Sequence, residues 1–419
     1  MKVVIFNVKY SENLGDGLLS ECMTRVLEQE GVEVDVVDLA GRNSVGTNAG
    51  RGLSLKVLKS LPPSLRRLVV RLALKRKIER FKEDWRERIH NADGIILGGG
   101  NLFQDDDLNF PTKVGAVLEL ASETKAPLSI FSVGVTPDWS PRARVLFGRY
   151  QEAELSNLSF RDKLARDNWR KHFRSANEGI LTLDPGLLTS QFFDKCVSCE
   201  PNTIGICVTA PDILTRHATQ PARTIPLLSI GKYVELVRYL TAAGFLVRLF
   251  CNGAREDFAF AELVYKECKA CDAADEDYLE LVSRPSDISE LVRVIGANSL
   301  IIAHRLHACI CAHSFGIPTI GLGWDDKVKG FFEAVGREGF VVKDLSTPVE
   351  AIMGLVKSGV AEGVDPLHLG RQIAAARNDV IRAAAFSFRQ ATSPVKAEKL
   401  LTSIGAASSV IESRPIIPI

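Results

Sequence analysis

Arg305 and His307 stand two residues apart in SLIIAHRLHACICAHSFGIPTIGLGWDDKVKGF, residues 299–331. A guanidinium can hold a carboxylate or phosphate through paired N–H donors. An imidazole can move a proton near neutral pH. The pattern around them reads as a buried strand at 300–303, a helix opening at His304–Arg305 and a second strand at 319–322. A loop with Trp324, Asp325, Asp326 and Lys327 follows. In a parallel α/β sheet that helix start and that loop lie at the carboxyl ends of neighbouring strands, where ligands bind. A helix N-terminus is itself an anion site. Arg305, His307 and Lys327 added there make a pocket for a small, doubly charged anion.

Taken alone, His307 also fits a satisfied structural histidine; Arg305 beside it favours the chemical role. Arg305 and a helix N-terminus disfavour an imidazolium in the empty site, and a bound dianion reverses that. His304, His307 and His313, with Cys309 and Cys311, do not make a metal set, because the cysteines alternate into the core and no carboxylate completes it. Cys196 and Cys199 form one C-x-x-C and Cys268 and Cys271 another, far apart in sequence and the second within a helical pattern. No metal is expected. The nine cysteines sit mostly in apolar segments (Cys22, Cys207, Cys251, Cys309, Cys311), as reduced, buried thiols do.

Other motifs fall at predicted strand ends. Asn13-Leu14-Gly15-Asp16 opens a helix at 18–30, and Asp16 reads equally as its N-cap or as an active-site acid. Gly98-Gly99-Gly100-Asn101-Leu102-Phe103-Gln104-Asp105 follows a strand at 93–97, its glycines permitting close backbone approach to a ligand. Gly134 ends the strand at 128–135. Arg161-Asp162 and Asp184-Pro185 end two more, and Arg161 with Asp184 also fits a structural ion pair.

What positions these motifs is a two-domain chain. Its 419 residues exceed one ordinary domain. The run at 2–8 is nearly continuous in apolar residues, as in a parallel strand covered on both faces. Strand–helix alternation continues to about 190. It breaks at 191–202 and resumes with TIGICVTA at 203. Two doubly wound, Rossmann-like α/β domains facing across a cleft are expected, at 1–193 and 194–365. A helix at 367–389, expected to pack back on the first domain, and a loosely ordered tail at 392–419 complete the chain.

The motifs are ordered and colinear over roughly residues 2–345, and together they resemble the polysaccharide pyruvyl transferases. The matching pieces are Asn13 to Asp16, Gly98 to Asp105, Gly134, Arg161-Asp162, Asp184-Pro185, Arg305-Leu306-His307 and Trp324 to Lys327. Trp324 departs from the Tyr or Phe-like aromatic usual there. The resemblance implies a GT-B-like fold and transfer of an enolpyruvyl unit from phosphoenolpyruvate to a sugar diol, leaving a pyruvate ketal. It implies His307 as acid, Arg305 and Asp16 beside it, and substrate contacts from Asn13, Gly15, Gly99, Gly100, Asn101, Gln104, Asp105, Gly134, Arg161, Trp324, Asp325 and Lys327. It requires no cofactor besides the donor.

The 52 basic and 51 acidic residues nearly cancel, so no global field argues for nucleic acid. No signal peptide or membrane span is read, and a cytoplasmic location is expected. Residues 56–88 hold twelve Lys or Arg against four Asp or Glu, with apolar residues at helical spacing. That segment reads as a surface helix packed on the sheet or as contact with an anionic membrane carrying a lipid-linked acceptor. Two other functions stay open. A nucleotide-sugar glycosyltransferase would place Asp325 or Asp326 on a ribose, and a sugar-binding protein would have no need of His307 beside Arg305.

Overall fold

Val3, Val4, Ile5 and Phe6 are fully buried, as their unbroken apolar run requires. They form β1 (Lys2–Asn7), which in the computed structural model pairs in parallel with β2 (Glu33–Asp38) and β3 (Gly94–Phe103). Beyond β3 come β4 (Leu128–Val135), β5 (Leu155–Phe160) and β6 (Ile180–Leu181), in the order β2-β1-β3-β4-β5-β6. A second parallel sheet holds β7 (Thr203–Cys207), β8 (Leu246–Phe250), β9 (Leu279–Leu281), β10 (Leu300–Ala303), β11 (Thr319–Leu322) and β12 (Val341–Val342). Its order is β12-β11-β10-β7-β8-β9. Strand order reverses between β7 and β10, and in the first sheet between β1 and β3. Those carboxyl ends are where doubly wound sheets take ligands.

The structure describes residues 1–45, 62–174, 178–195, 202–217, 224–344, 346–388 and 402. Cys196, Cys199, residues 46–61 with the start of the basic segment, and the tail at 392–419 apart from 402 lie outside them. The chain divides into two units, one of residues 1–11, 19–185 and 374–419, the other of 12–18 and 186–373. The helices Leu14–Gln29 and Pro366–Phe386 each begin in the second unit and continue in the first.

Several boundaries differ from expectation. The strand expected at 93–97 runs on through the glycines to Phe103, with an irregular register against β4 between Gly100 and Phe103. The helix expected from 141 to about 155 ends at Gly148, a poor helix former, and a single tight turn at Arg149–Glu152 leads into β5. The basic segment is one helix, Pro63–His90, with proline at its first position. Its second half packs on the first sheet. Ile78, Trp85 and Ile89 are buried, with Trp85 edge-on to Phe6 at 5.3 Å. Lys82 pairs with Glu119 at 2.7 Å and Arg86 with Glu123 at 2.8 Å. Among the described residues no helix is long and apolar enough to cross a membrane. Cys22, Cys207, Cys251, Cys268, Cys309 and Cys311 are buried, whereas Cys271 is exposed.

Asp379 gives a stability prediction. It accepts from Leu183 N–H at 3.2 Å and pairs with Arg382 at 3.2 Å. Burial nevertheless raises its carboxyl to about 6. A carboxyl raised in the folded state stabilises most below its unfolded value, near 4, and that contribution is lost as pH rises through about 6. Asp379→Asn retains an acceptor for Leu183 and should therefore be as stable as wild type, or more so, above pH 6. Denaturant midpoints measured between pH 4 and 8 check this; a lower midpoint for the variant at pH 7 overturns it.

Candidate active site

In the second unit Arg305 and His307 flank the start of the helix Leu306–Ser314, directly after β10. The helix opens one residue later than expected, with Arg305 as its N-cap in an extended conformation. Arg305 Nε and Nη2 both donate to Asp257 Oδ2, at 2.9 and 2.5 Å. Asp257 is fully buried in the first turn of the helix Arg255–Ala270, and its Oδ1 accepts from Ala210 N–H at 2.9 Å. Burial pushes the Asp257 carboxyl above its ordinary range against the pull of Arg305. For Arg305, burial works against the charge, and Asp257 outweighs it, leaving the guanidinium above the ordinary arginine value. Nη1 makes no hydrogen bond among the described residues.

His307 meets Asp16. Its Nδ1 lies 3.6 Å from Asp16 Oδ1, and its side chain is 10% exposed. Asp16 is not the helix cap, because the helix begins at Leu14 and Asp16 stands in its first turn. Asn13 Nδ2 donates to Asp16 Oδ2 at 3.2 Å, and Asn252 Nδ2 donates to Asn13 Oδ1 at 2.7 Å. Leu14 N–H adds a bond to the Asn252 carbonyl at 3.0 Å. Gly253, at φ +101°, lets this arm lie against it: a Cβ there would be 2.6 Å from the Glu12 carbonyl oxygen. The negative charge beside His307 is thus Asp16, while the Arg305 charge is turned toward Asp257. This electrostatic balance differs from the one expected of Arg305 and a helix end alone.

Gly15 packs directly against the imidazole. A Cβ on it would stand 2.4 Å from His307 Cβ and 2.6 Å from Nδ1. Gly15→Ala must displace the ring, and a displacement near 1 Å costs turnover about a hundredfold. Steady-state kinetics with an unchanged melting temperature would verify this; wild-type kcat in Gly15→Ala would show that the ring's position is immaterial.

The other two histidines serve packing. His304 is fully buried, contacts the Pro226 carbonyl at 2.8 Å through Nε2 and is lowered by burial to about 4. His313 contacts Gln372 Oε1 at 2.9 Å. Trp324 is buried and donates from Nε1 to the His304 carbonyl at 2.7 Å. Asp325 caps the helix Asp326–Ala334 through Lys327 N–H and holds Lys327 Nζ at 3.0 Å. Lys327 also stands 4.7 Å over the Trp324 ring. Among the described residues no group of three His, Cys, Asp or Glu is placed to hold a metal.

The remaining predicted residues belong to the first unit. Gly99 and Gly100 have positive φ, 73° and 112°. Asn101 Nδ2 donates to Gln104 Oε1 at 3.2 Å. A Cβ on Gly134 would lie 2.5 Å from Asn101 Oδ1 and 2.8 Å from Arg161 Nη2, so these groups converge over that glycine. Arg161 is buried, with Asp162 at 3.5 Å and Asp184 at 4.0 Å, and its Nε donates no hydrogen bond among the described residues. Asp105 holds the turn after β3, accepting from Leu108 N–H and Ser140 N–H, each at 2.8 Å.

A sequence model of the polysaccharide pyruvyl transferases matches residues 13–326, a span that runs from Asn13 to the Trp324–Lys327 loop. The chain belongs to that family. It is a transferase of polysaccharide biosynthesis by that membership. No curated protein sequence matches it. Among solved structures, a putative UDP-N-acetylglucosamine 2-epimerase from Listeria monocytogenes is 14% identical with a TM-score of 0.52, covering 100% of this chain and 99% of that one. UDP-GlcNAc 2-epimerase from Methanocaldococcus jannaschii is 13% identical at 0.51, covering 86% and 93%. The Neisseria meningitidis enzyme, bound to UDP-GlcNAc, is 11% identical at 0.51, covering 92% and 99%. At such identities these likenesses show the GT-B-like fold of the pyruvyl transferase chain and nothing of its ligand.

Asp257 and Asn252 went unmarked in the sequence reading. Asn252-Gly253 lies just past the carboxyl end of β8, as glycine-bearing strand ends elsewhere in the chain do. Asp257 is one of two acids in a helix's first turn, where acids are common whatever their role.

Proposed function

We propose that the chain transfers an enolpyruvyl unit from phosphoenolpyruvate to two hydroxyls of a saccharide, forming a pyruvate ketal and releasing phosphate. The observation that carries this is the carboxylate–imidazole contact of Asp16 and His307 beside an arginine with one open fork arm, at the carboxyl end of β10. Arg305 Nη1 and the N–H groups opening the helix Leu306–Ser314 would hold the donor's anionic groups. His307, charged and oriented by Asp16, would give its proton to the donor's methylene carbon, which becomes the methyl group. The double-bond electrons form that C–H bond, leaving an oxocarbenium centre at C2. One sugar hydroxyl adds there and phosphate departs with its C–O electron pair. The second hydroxyl closes the ketal, and the hydroxyl protons restore His307 and protonate the phosphate. Asn101, Gln104 and Arg161 of the first unit are assigned to substrate contacts.

Thermal-shift titration separates donors, because a ligand at 100 times its Kd stabilises by about 2.7 kcal/mol. Phosphoenolpyruvate should raise the melting temperature and UDP-sugars should not. The reverse result would replace this reading with nucleotide-sugar glycosyl transfer. Mass spectrometry of products from lipid-linked saccharides then identifies the ketal.

The same reading is compatible with a lipid-linked acceptor and a cytoplasmic protein, and the alternative to a helix simply packed on the sheet is that the segment at 56–88 also touches the membrane. Each basic residue near an anionic surface contributes about 1 kcal/mol. Co-sedimentation with anionic but not neutral vesicles, lost at high salt, is expected; equal recovery with both rejects the contact.

A further inference from the structure

We propose that Arg42, Lys77 and Lys113 of the first unit form a binding site for a diphosphate group. The three residues come from three elements around the carboxyl ends of β1, β2 and β3, the reversal point of the first sheet. The turn after β2 sets the first. Asp38 accepts from Tyr10 N–H at 2.9 Å and Ala40 N–H at 2.8 Å, and holds the Arg42 guanidinium at 3.0 Å through Nε and 2.8 Å through Nη2. Lys77, on the helix Pro63–His90, reaches the same turn and donates to the Ala40 carbonyl at 2.7 Å. Gly41 of that turn packs on the Phe81 ring over which Lys77 Nζ stands at 5.5 Å.

Lys113, in the helix Asn109–Thr124, is half-buried. Its amine has the Phe110 ring at 5.6 Å but no hydrogen bond or ion pair among the described residues. The charged groups facing it are Arg42, Asp38, Lys77 and Asp106. Burial, and then Arg42, lower it to about 8. A half-buried ammonium facing Arg42 and Lys77, only partly offset by Asp38 and Asp106, is an arrangement that a bound anion relieves. Asp38 is already occupied by the turn and by Arg42. One carboxylate needs a single arginine fork, whereas three cations on three elements suit charge spread over two phosphoryl groups. In the proposed reaction this group is the link between the acceptor saccharide and its carrier. Only the carrier's identity rests on that reading; the anion site does not.

Acylation of lysines tests the site on the full-length protein, using an N-hydroxysuccinimide ester of acetate at pH 8 with mass-spectrometric readout. Inorganic pyrophosphate at about ten times its Kd should slow Lys113 modification about tenfold, as near-full occupancy requires. That protection should fall in Arg42→Gln and in the surface variant Lys77→Gln, the latter serving if the former does not fold. Protection by farnesyl diphosphate but not UDP assigns a lipid carrier, and the reverse a nucleotide. Absence of protection by any diphosphate overturns the site, as does protection undiminished in both variants. Equal protection by phosphoenolpyruvate would make it the donor site and overturn it too. If phosphoenolpyruvate binds nowhere on the protein, the donor reading fails while the pyrophosphate result stands.

Discussion

His307→Ala is expected to lower kcat by about a thousandfold, within the range removed with a general acid. Donor binding should survive, because Arg305 and the helix start remain. The side chain is buried against Gly15, so a melting temperature measured alongside separates lost chemistry from lost packing. Equilibrium binding of phosphoenolpyruvate and single-turnover kinetics, run side by side, separate the two effects. A variant that turns over like wild type removes His307 from the chemistry; one that neither binds nor turns over reassigns it to the binding of the donor.

The second large effect is expected at Asp257. Removing one partner of a buried ion pair leaves an uncompensated charge and costs about 3–5 kcal/mol. Asp257→Ala and Arg305→Ala should each lower stability by that order. The double variant should lose less than the sum, because neither charge is then orphaned. Arg305→Lys should restore neither stability nor the KM for phosphoenolpyruvate. Nε and Nη2 are both spent on Asp257, and a lysine has no planar fork with which to hold the acid and a ligand together. Chemical denaturation of the four proteins measures the coupling. Strict additivity, or a lysine variant with the wild-type KM, would show that Asp257 does not hold Arg305 for the donor.

Much of this was legible in the sequence. Unbroken apolar runs such as Val3–Phe6 and Leu300–Ala303, short and bounded by turn residues, read as strands covered on both faces, and each ended in the residues that the sheets place at their carboxyl edges. Placing Arg305 and His307 at a strand end and helix start needed no more than that. The pairings were not legible. Asp16 could be read as a helix cap because a cap and a histidine's partner are the same residue type one turn apart. Nothing local in Asn13 to Asp16 says that the segment lies with residues 186–373. Lys327 looked free for an anion because an acid two residues earlier can cap a helix, hold the lysine or do both, as Asp325 does.

The bond between Asn13 and Asn252 joins residues 239 positions apart. At synthesis rates of roughly 5–20 residues per second, the arm that carries Asp16 emerges from the ribosome roughly ten to fifty seconds before Asn252, which anchors it. His307 follows later still. The nascent chain can therefore build most of the first sheet while Asp16 waits undocked, and its pairing with His307 becomes one of the last events of biogenesis. A fragment starting at Gly186 would carry the arginine and the histidine but never acquire that partner.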